Sequence, residues 1–355
     1  MEPTITAVPT YPLPVDINGL QIYHHPSTFP LELGGELPQL SIAYHTYGTL
    51  NAAGDNVIWV CHALTANSDV ADWWAGLMGA GRVFDPARYF IVCANILGSC
   101  YGTTGPRSID PATGQSYGLD FPRITIRDMA KANDCLRQYL GIAAMELCIG
   151  GSCGGYQVLE QALLDRLPIR RMALLVCNAR ETAWAIAIHE AGRQAMEADP
   201  DFYKNTDKAG RKGLRAARAV GLLGYRTLQA YIDTQSDDDD RTDDFRAASY
   251  IRYQGIKLER RFYAHCYWHL LKALDTHHIG RGRGAVAEVL AGLDIPTMVI
   301  SMDSDMLIPP AQQQFLAKYL PRAEYHLIPS RFGHDGFLTE TDAINSCVMD
   351  WMGRS

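Results

Sequence analysis

Short apolar runs alternate along this chain with stretches in which apolar residues recur every three to four positions. Val57–His62 (VIWVCH) and Tyr89–Ala94 (YFIVCA) are continuous apolar runs, the pattern of strands buried on both faces. Met145–Ile149 (MELCI), Met172–Val176 (MALLV), Thr297–Ser301 (TMVIS) and Glu324–Ile328 read the same way. Between them, Ile126–Leu140, Gly154–Leu164, Pro310–Tyr319 and Thr341–Met352 carry the helical period. Strands alternating with helices at this spacing predict a mostly parallel sheet with helices on both faces. Near the start, Phe29–Leu33 and Leu40–Tyr47 are β-rich and flank a turn-forming stretch that begins Gly34-Gly35, which predicts a hairpin.

The alternation stops after Glu181. From there to about Arg283 the strand signal fades, and Ala, Arg, Glu, Gln and aromatic residues recur at helical periods. The pattern predicts an α/β core domain, residues 1–180 and 284–355, interrupted by a helical lid over residues 181–283. The four consecutive aspartates Asp237–Asp240 repel one another in any regular element and are expected to form a solvated loop.

Composition narrows the functional classes. The formal charge of −7 argues against a nucleic-acid footprint, which needs a basic stripe. Nine scattered cysteines without a CxxC pair suggest neither a zinc site nor a dithiol redox centre, and fit a reducing, cytoplasmic setting. No metal and no cofactor are called for; His277 and His278 are adjacent and cannot both face one helix-borne site. The proline-rich stretch Met1–Val15 lacks the form of a signal peptide, and no apolar run approaches the roughly 20 residues that span a bilayer.

The strongest chemical signal is Gly150-Gly151-Ser152-Cys153-Gly154-Gly155, a G-x-S-x-G pattern between a predicted strand and a predicted helix. A serine on so tight a turn is lifted out of the sheet and set at a helix N-terminus, where backbone N–H groups can stabilise a developing negative charge. Its hydroxyl is a poor nucleophile without a base. In such folds the partners follow in the order Ser, acid, His. After the Thr297–Ser301 strand come Asp303 and Asp305, and after the next strand comes His334. One aspartate orients the imidazole; the Ile308-Pro309 that follows Asp305 suits the acid turn, with Asp303 as the alternative. The oxyanion donors expected from topology are the backbone N–H groups of Leu64, in the loop after Val57–His62, and of Cys153.

With these residues in hand, the chain resembles the homoserine O-acetyltransferase family, on the α/β-hydrolase fold, from about Pro30 to its end. The segments that carry the likeness include His62-Ala-Leu-Thr65, Asp72-Trp-Trp74, Asn95-Ile-Leu-Gly-Ser-Cys-Tyr-Gly-Thr-Thr-Gly-Pro106, Asp120-Phe-Pro with Thr125-Ile-Arg-Asp128, and the glycine-flanked serine. They continue through Gln194-Ala-Met-Glu-Ala-Asp-Pro200, Tyr253-Gln-Gly255, Gly280-Arg-Gly-Arg283, Ser304-Asp-Met-Leu-Ile-Pro-Pro310 and Gly333-His-Asp335. The resemblance implies a ping-pong enzyme of methionine biosynthesis in which Ser152 takes an acetyl group from acetyl-CoA as co-substrate and passes it to L-homoserine, with His334 as base and Asp305 as the acid. It also implies that Arg218 and Tyr225 hold the amino acid, that Asp335 grips its ammonium group, and that the chain forms a homodimer through its lid helices.

Two segments depart from the family pattern. Cys153 stands where the family commonly has methionine, and Arg261-Phe-Tyr-Ala-His-Cys-Tyr267 replaces the usual Arg-Phe-Asp-Ala-Asn-Ser-Tyr. A succinyl donor, serine as acceptor, and water as acceptor in a serine ester hydrolase are the other readings of the same triad.

Overall fold

The computed structural model describes residues 13–15, 17–164 and 168–354. Most of Met1–Val15 therefore lies outside the described residues. Ten strands are present among them: β1 (Gln21–His24), β2 (Phe29–Pro30), β3 (Glu36–Leu37), β4 (Ser41–Tyr47), β5 (Val57–Cys61), β6 (Phe90–Ala94), β7 (Met145–Gly151), β8 (Met172–Leu175), β9 (Thr297–Met302) and β10 (Ala323–Ile328). Eight form one sheet in the order β1-β4-β6-β5-β7-β8-β9-β10. From β6 to β10 all neighbours are parallel, and β4 runs antiparallel to both β1 and β6.

The continuous apolar runs have the cause expected of them. Along β5, Val57, Trp59 and Cys61 join the core on one face of the sheet, while Ile58 and Val60 join the core on the other. Each such fully buried aliphatic side chain is worth about 1.5–3 kcal/mol against exposure. The predicted hairpin is corrected. Gly34 and Gly35, both at positive φ, turn the chain so sharply that β2 pairs with β3 instead of with the later strand. The strand Ser41–Tyr47 pairs instead with Gln21–His24, a short edge strand with little apolar pattern of its own.

The helices before and around Ser152 are α1 (Val70–Trp73), α2 (Ile126–Tyr139) and α3 (Cys153–Ala162). Between β8 and β9 the chain leaves the sheet as α4 (Ala183–Glu197), α5 (Arg211–Tyr225), α6 (Leu228–Gln235), α7 (Arg246–Glu259) and α8 (Ala264–Asp275), then returns through α9 (Val286–Ala291). The two ends of this excursion meet in a bridge between Arg180 and His278. Its return is fastened to the core by ion pairs: Glu32 binds Arg127 at 2.7 Å and Arg281 at 2.9 Å, while Glu160 binds Arg127 at 3.1 Å and Arg283 at 2.8 Å. The Asp237–Asp240 run lies in a loop, paired with Arg241 and Arg246. The chain closes with α10 (Pro310–Tyr319), α11 (Gly336–Thr339) and α12 (Thr341–Gly353).

Strand order places the site. β5 has β6 on one side and β7 on the other, so the chain direction of build-up reverses there. The carboxyl ends of strands at such a reversal leave a crevice that α/β proteins use for ligands. The loop after β5 and the turn after β7 both open into it.

Candidate active site

β7 ends at Gly151 and α3 begins at Cys153, leaving Ser152 alone on the turn. Its backbone sits at φ 55°, ψ −126°, a conformation that costs a non-glycine residue about 1–3 kcal/mol. The turn can be this tight because Gly150, two residues before the serine, and Gly154, two after it, have no side chains. A Cβ on Gly154 would collide with the carbonyl oxygen of Cys61, and one on Gly150 with the backbone of Gly154.

His334 lies in the short turn after β10, and its Nε2 is 2.8 Å from Ser152 Oγ. Its Nδ1 is 2.7 Å from Asp305 Oδ2. A carboxylate only accepts, so Nδ1 carries the proton and Nε2 is left to accept from the serine hydroxyl. Asp305 is fixed in turn: its Oδ1 accepts the backbone N–H groups of Leu307 and Ile308, both at 2.9 Å. Asp303 is placed elsewhere, accepting the N–H of Ser330 at 2.9 Å. Of the two candidates, only Asp305 meets the imidazole. Burial pulls the His334 pKa down, but the charge of Asp305 and its hydrogen bond, aided by Asp335 and Glu181, hold it above the usual imidazole value.

Leu64 lies in the loop after β5 and lines the cavity, while Cys153 follows the serine as the first residue of α3. That loop is held by a buried histidine. His62 Nδ1 donates to the carbonyl of Ala63 at 2.8 Å, its Nε2 accepts from Ile96 N–H at 3.0 Å, and Gln157 donates to its carbonyl at 3.1 Å. Burial lowers the His62 pKa to about 4, so the ring is neutral and can accept.

The cavity above Ser152 holds about 100 Å³. Arg218 and Tyr225 enter it from α5, two helical turns apart and therefore on one face, with the guanidinium 5.6 Å from the centre of the tyrosine ring. Asp335 lines it too, with Oδ2 receiving Arg226 Nε at 3.1 Å. Glu181, Tyr156, His189, Leu274 and Leu307 complete much of the lining.

A family model of the α/β-hydrolase fold matches residues 56–341. A homoserine O-acetyltransferase of Cyclobacterium marinum is 42% identical over 324 residues, covering 91% of this chain and 92% of that protein. The chain belongs to the homoserine O-acetyltransferase family. In fold it is similar to the crystal structure of homoserine O-acetyltransferase from Bacillus anthracis, with a TM-score of 0.87 at 24% identity over 95% of this chain and 98% of that one. It is also similar to the structure of esterase E22, with a TM-score of 0.86 at 22% identity over 94% and 99%.

The two departures from the family's pattern now have structural contexts. Cys153 is buried, 3.8 Å from Gln157, and burial pushes its thiol up to about 12. A thiol so reluctant to ionise is no rival nucleophile to Ser152. In the altered segment, Arg261 donates to the carbonyl of Thr65 and to the hydroxyl of Tyr101, and so ties the excursion to the loop that carries Leu64. His265 reaches the carbonyl of Phe202 at 2.6 Å.

Three cavity residues, Tyr156, Glu181 and His189, and one partner of a cavity residue, Arg226, were not singled out from sequence. Arg226, the partner of Asp335, is one of many arginines in its region. Tyr156 is four residues beyond Ser152 and could have been found from helical spacing alone. Glu181 and His189 carry no motif, and only the fold brings them to the serine.

Proposed function

We propose that this chain transfers an acetyl group from acetyl-CoA to the γ-hydroxyl of L-homoserine by way of an acetyl-Ser152 intermediate. The observation that carries this reading is a single small cavity holding Ser152, a guanidinium (Arg218) and a carboxylate (Asp335). A free amino acid presents the complementary pair, an α-carboxylate and an α-ammonium group. Arg218 offers the carboxylate a planar fork, with Tyr225 bracing it. Asp335 offers the ammonium the oxygen not taken by Arg226.

In the first half-reaction His334 Nε2 accepts the proton of Ser152 as Oγ attacks the thioester carbonyl. The N–H groups of Leu64 and Cys153 receive the oxyanion. Collapse expels the CoA thiolate, which takes the proton from the imidazolium. In the second half-reaction His334 deprotonates the homoserine hydroxyl, which attacks the acetyl-enzyme. Collapse then releases O-acetylhomoserine and returns the proton to Ser152. Asp305 stabilises the imidazolium in both halves without taking its proton. The helices of residues 181–283 act as a lid that keeps water from the acyl-enzyme.

Homoserine activated in this way serves methionine biosynthesis, and nine free thiols suit a cytoplasmic enzyme. Homodimerisation through the lid is supported by the exposed Leu223, Leu228, Ile232, Phe245 and Tyr253 on or beside α5, α6 and α7, with Leu228 75% exposed. Sedimentation as a monomer at micromolar concentration would refute the dimer.

The transfer itself is tested by following CoA release from acetyl-CoA with and without homoserine. Release that depends on homoserine is expected. Release equally fast without it makes water the acceptor and the chain an ester hydrolase. Replacing homoserine by serine tests the acceptor's length, where one methylene is worth only ~1–3 kcal/mol.

A further inference from the structure

Two groups of opposite charge line the cavity without meeting. Arg218 and Asp335 share a space of about 100 Å³, yet no ion pair joins them among the described residues. In a confined, half-buried place a guanidinium and a carboxylate attract each other more strongly than at an open surface. The Asp335 carboxylate is instead taken from outside the cavity, its Oδ2 lying 3.1 Å from Arg226 Nε.

Several contacts keep Arg226 in that position. It follows Tyr225 at the end of α5, where its backbone leaves the helix at φ −114°, ψ 148°. Its guanidinium lies 5.5 Å from the centre of the Tyr250 ring, on α7. The next residue, Thr227, donates its hydroxyl to the carbonyl of Arg331 at 2.6 Å and accepts the N–H of Ala230 at 3.0 Å. Gly333, at φ 64°, permits a close approach, since a Cβ there would lie 2.8 Å from the carbonyl oxygen of Tyr225. The joint between α5 and α6 is thus fastened to the turn that carries His334 and Asp335. Arg226 does not line the cavity, so it can act on a substrate only through Asp335.

We propose that Arg226 is a positioning residue that keeps the acceptor site open: by holding Asp335 it prevents that carboxylate from closing onto Arg218. The inference rests on the acyl-transfer reading above and deepens it. An Arg218–Asp335 pair would occupy both groups that receive the amino acid. The acceptor would then bind only to the fraction of molecules in which the pair is broken. The acetyl-CoA half-reaction needs neither group and would be spared.

The test uses two acceptors, homoserine and 4-hydroxybutyrate, which has the same carboxylate and hydroxyl but no amino group, at a pH where His334 is neutral. In Arg226→Met, kcat/KM with either acceptor should fall about tenfold or more, mostly through KM, because a carboxylate tethered in the same cavity occupies Arg218 most of the time. The burst of CoA from acetyl-CoA alone should stay within a few-fold of wild type. Arg226→Lys, which keeps the charge, should recover most of the loss. The deciding variant combines Arg226→Met with Asp335→Asn. With no carboxylate left to occupy Arg218, its use of 4-hydroxybutyrate should return to within a few-fold of wild type, a repair that a purely structural defect would not show. Arg226→Gln carries the same expectations if the methionine variant does not fold. An Arg226→Met enzyme that keeps the wild-type KM for homoserine overturns the proposal. So does a loss with 4-hydroxybutyrate that Asp335→Asn fails to relieve. Failure of the underlying transfer reading looks different: homoserine would then not accelerate CoA release by the wild type.

Discussion

The carboxyl end of the sheet and the helices inserted between β8 and β9 contribute to the same cavity by different means. At the sheet, every reacting group is already held in place. Ser152 is fixed on a strained turn, Asp305 by two N–H groups, and His334, 4% exposed, by both of its neighbours. The inserted helices reach in with side chains alone. Arg218 rests on the ring of Tyr225, and no ion pair ties it down among the described residues. A reacting group must be held in place before the substrate arrives, whereas a gripping group gains its partner only when the substrate binds. On the proposed reading, the sheet therefore sets the kind of reaction and the helices set what enters it.

Mutations that separate the two regions should divide accordingly. Ser152→Ala should lower kcat by at least about 10⁴-fold, measured as homoserine-dependent CoA release, because no other group in the cavity can carry the acyl chain. Asp305→Asn should cost about 10³–10⁴-fold in kcat by losing the tautomer that leaves Nε2 free, while Asp303→Asn should leave kcat within a few-fold. Arg218→Lys should raise the KM for homoserine about tenfold or more and leave that for acetyl-CoA nearly unchanged, since lysine cannot form the planar fork. The pH profile belongs to the sheet. His334 works as a base only when neutral, and its pKa is held above the ordinary value of about 6.5, so kcat/KM should fall tenfold per pH unit on an acid limb centred above that value. The smallest effect is expected from Cys153→Ala, a change in kcat of less than about tenfold, because the oxyanion needs only the backbone N–H at that position.

The same division explains what could be read in the sequence. The elbow was legible because a serine on a tight strand-to-helix turn demands glycines at fixed places, and β5, β7 and β9 because both of their faces are buried. Asp305 could be preferred to Asp303 before the geometry was known, but only the hydrogen bond to Nδ1 separates them. Arg218 and Tyr225 were reached through resemblance, since nothing in the local pattern of α5 distinguishes Arg218 from Arg211 or Arg215. The pairing of β4 was misread because its partner, Gln21–His24, is an edge strand whose polar residues hide the strand pattern. Glu181 and His189 left no trace, as they meet Ser152 only in the folded cavity, where α4 packs on α5 and α8.

The most direct test of the account is the mass of the protein after brief mixing with acetyl-CoA in the absence of homoserine. The intact chain should become heavier by one acetyl group, located by fragmentation on Ser152, and adding homoserine should remove it as O-acetylhomoserine appears. A wild-type chain that transfers acetyl groups yet never carries one, or an adduct that survives in Ser152→Ala, would contradict it.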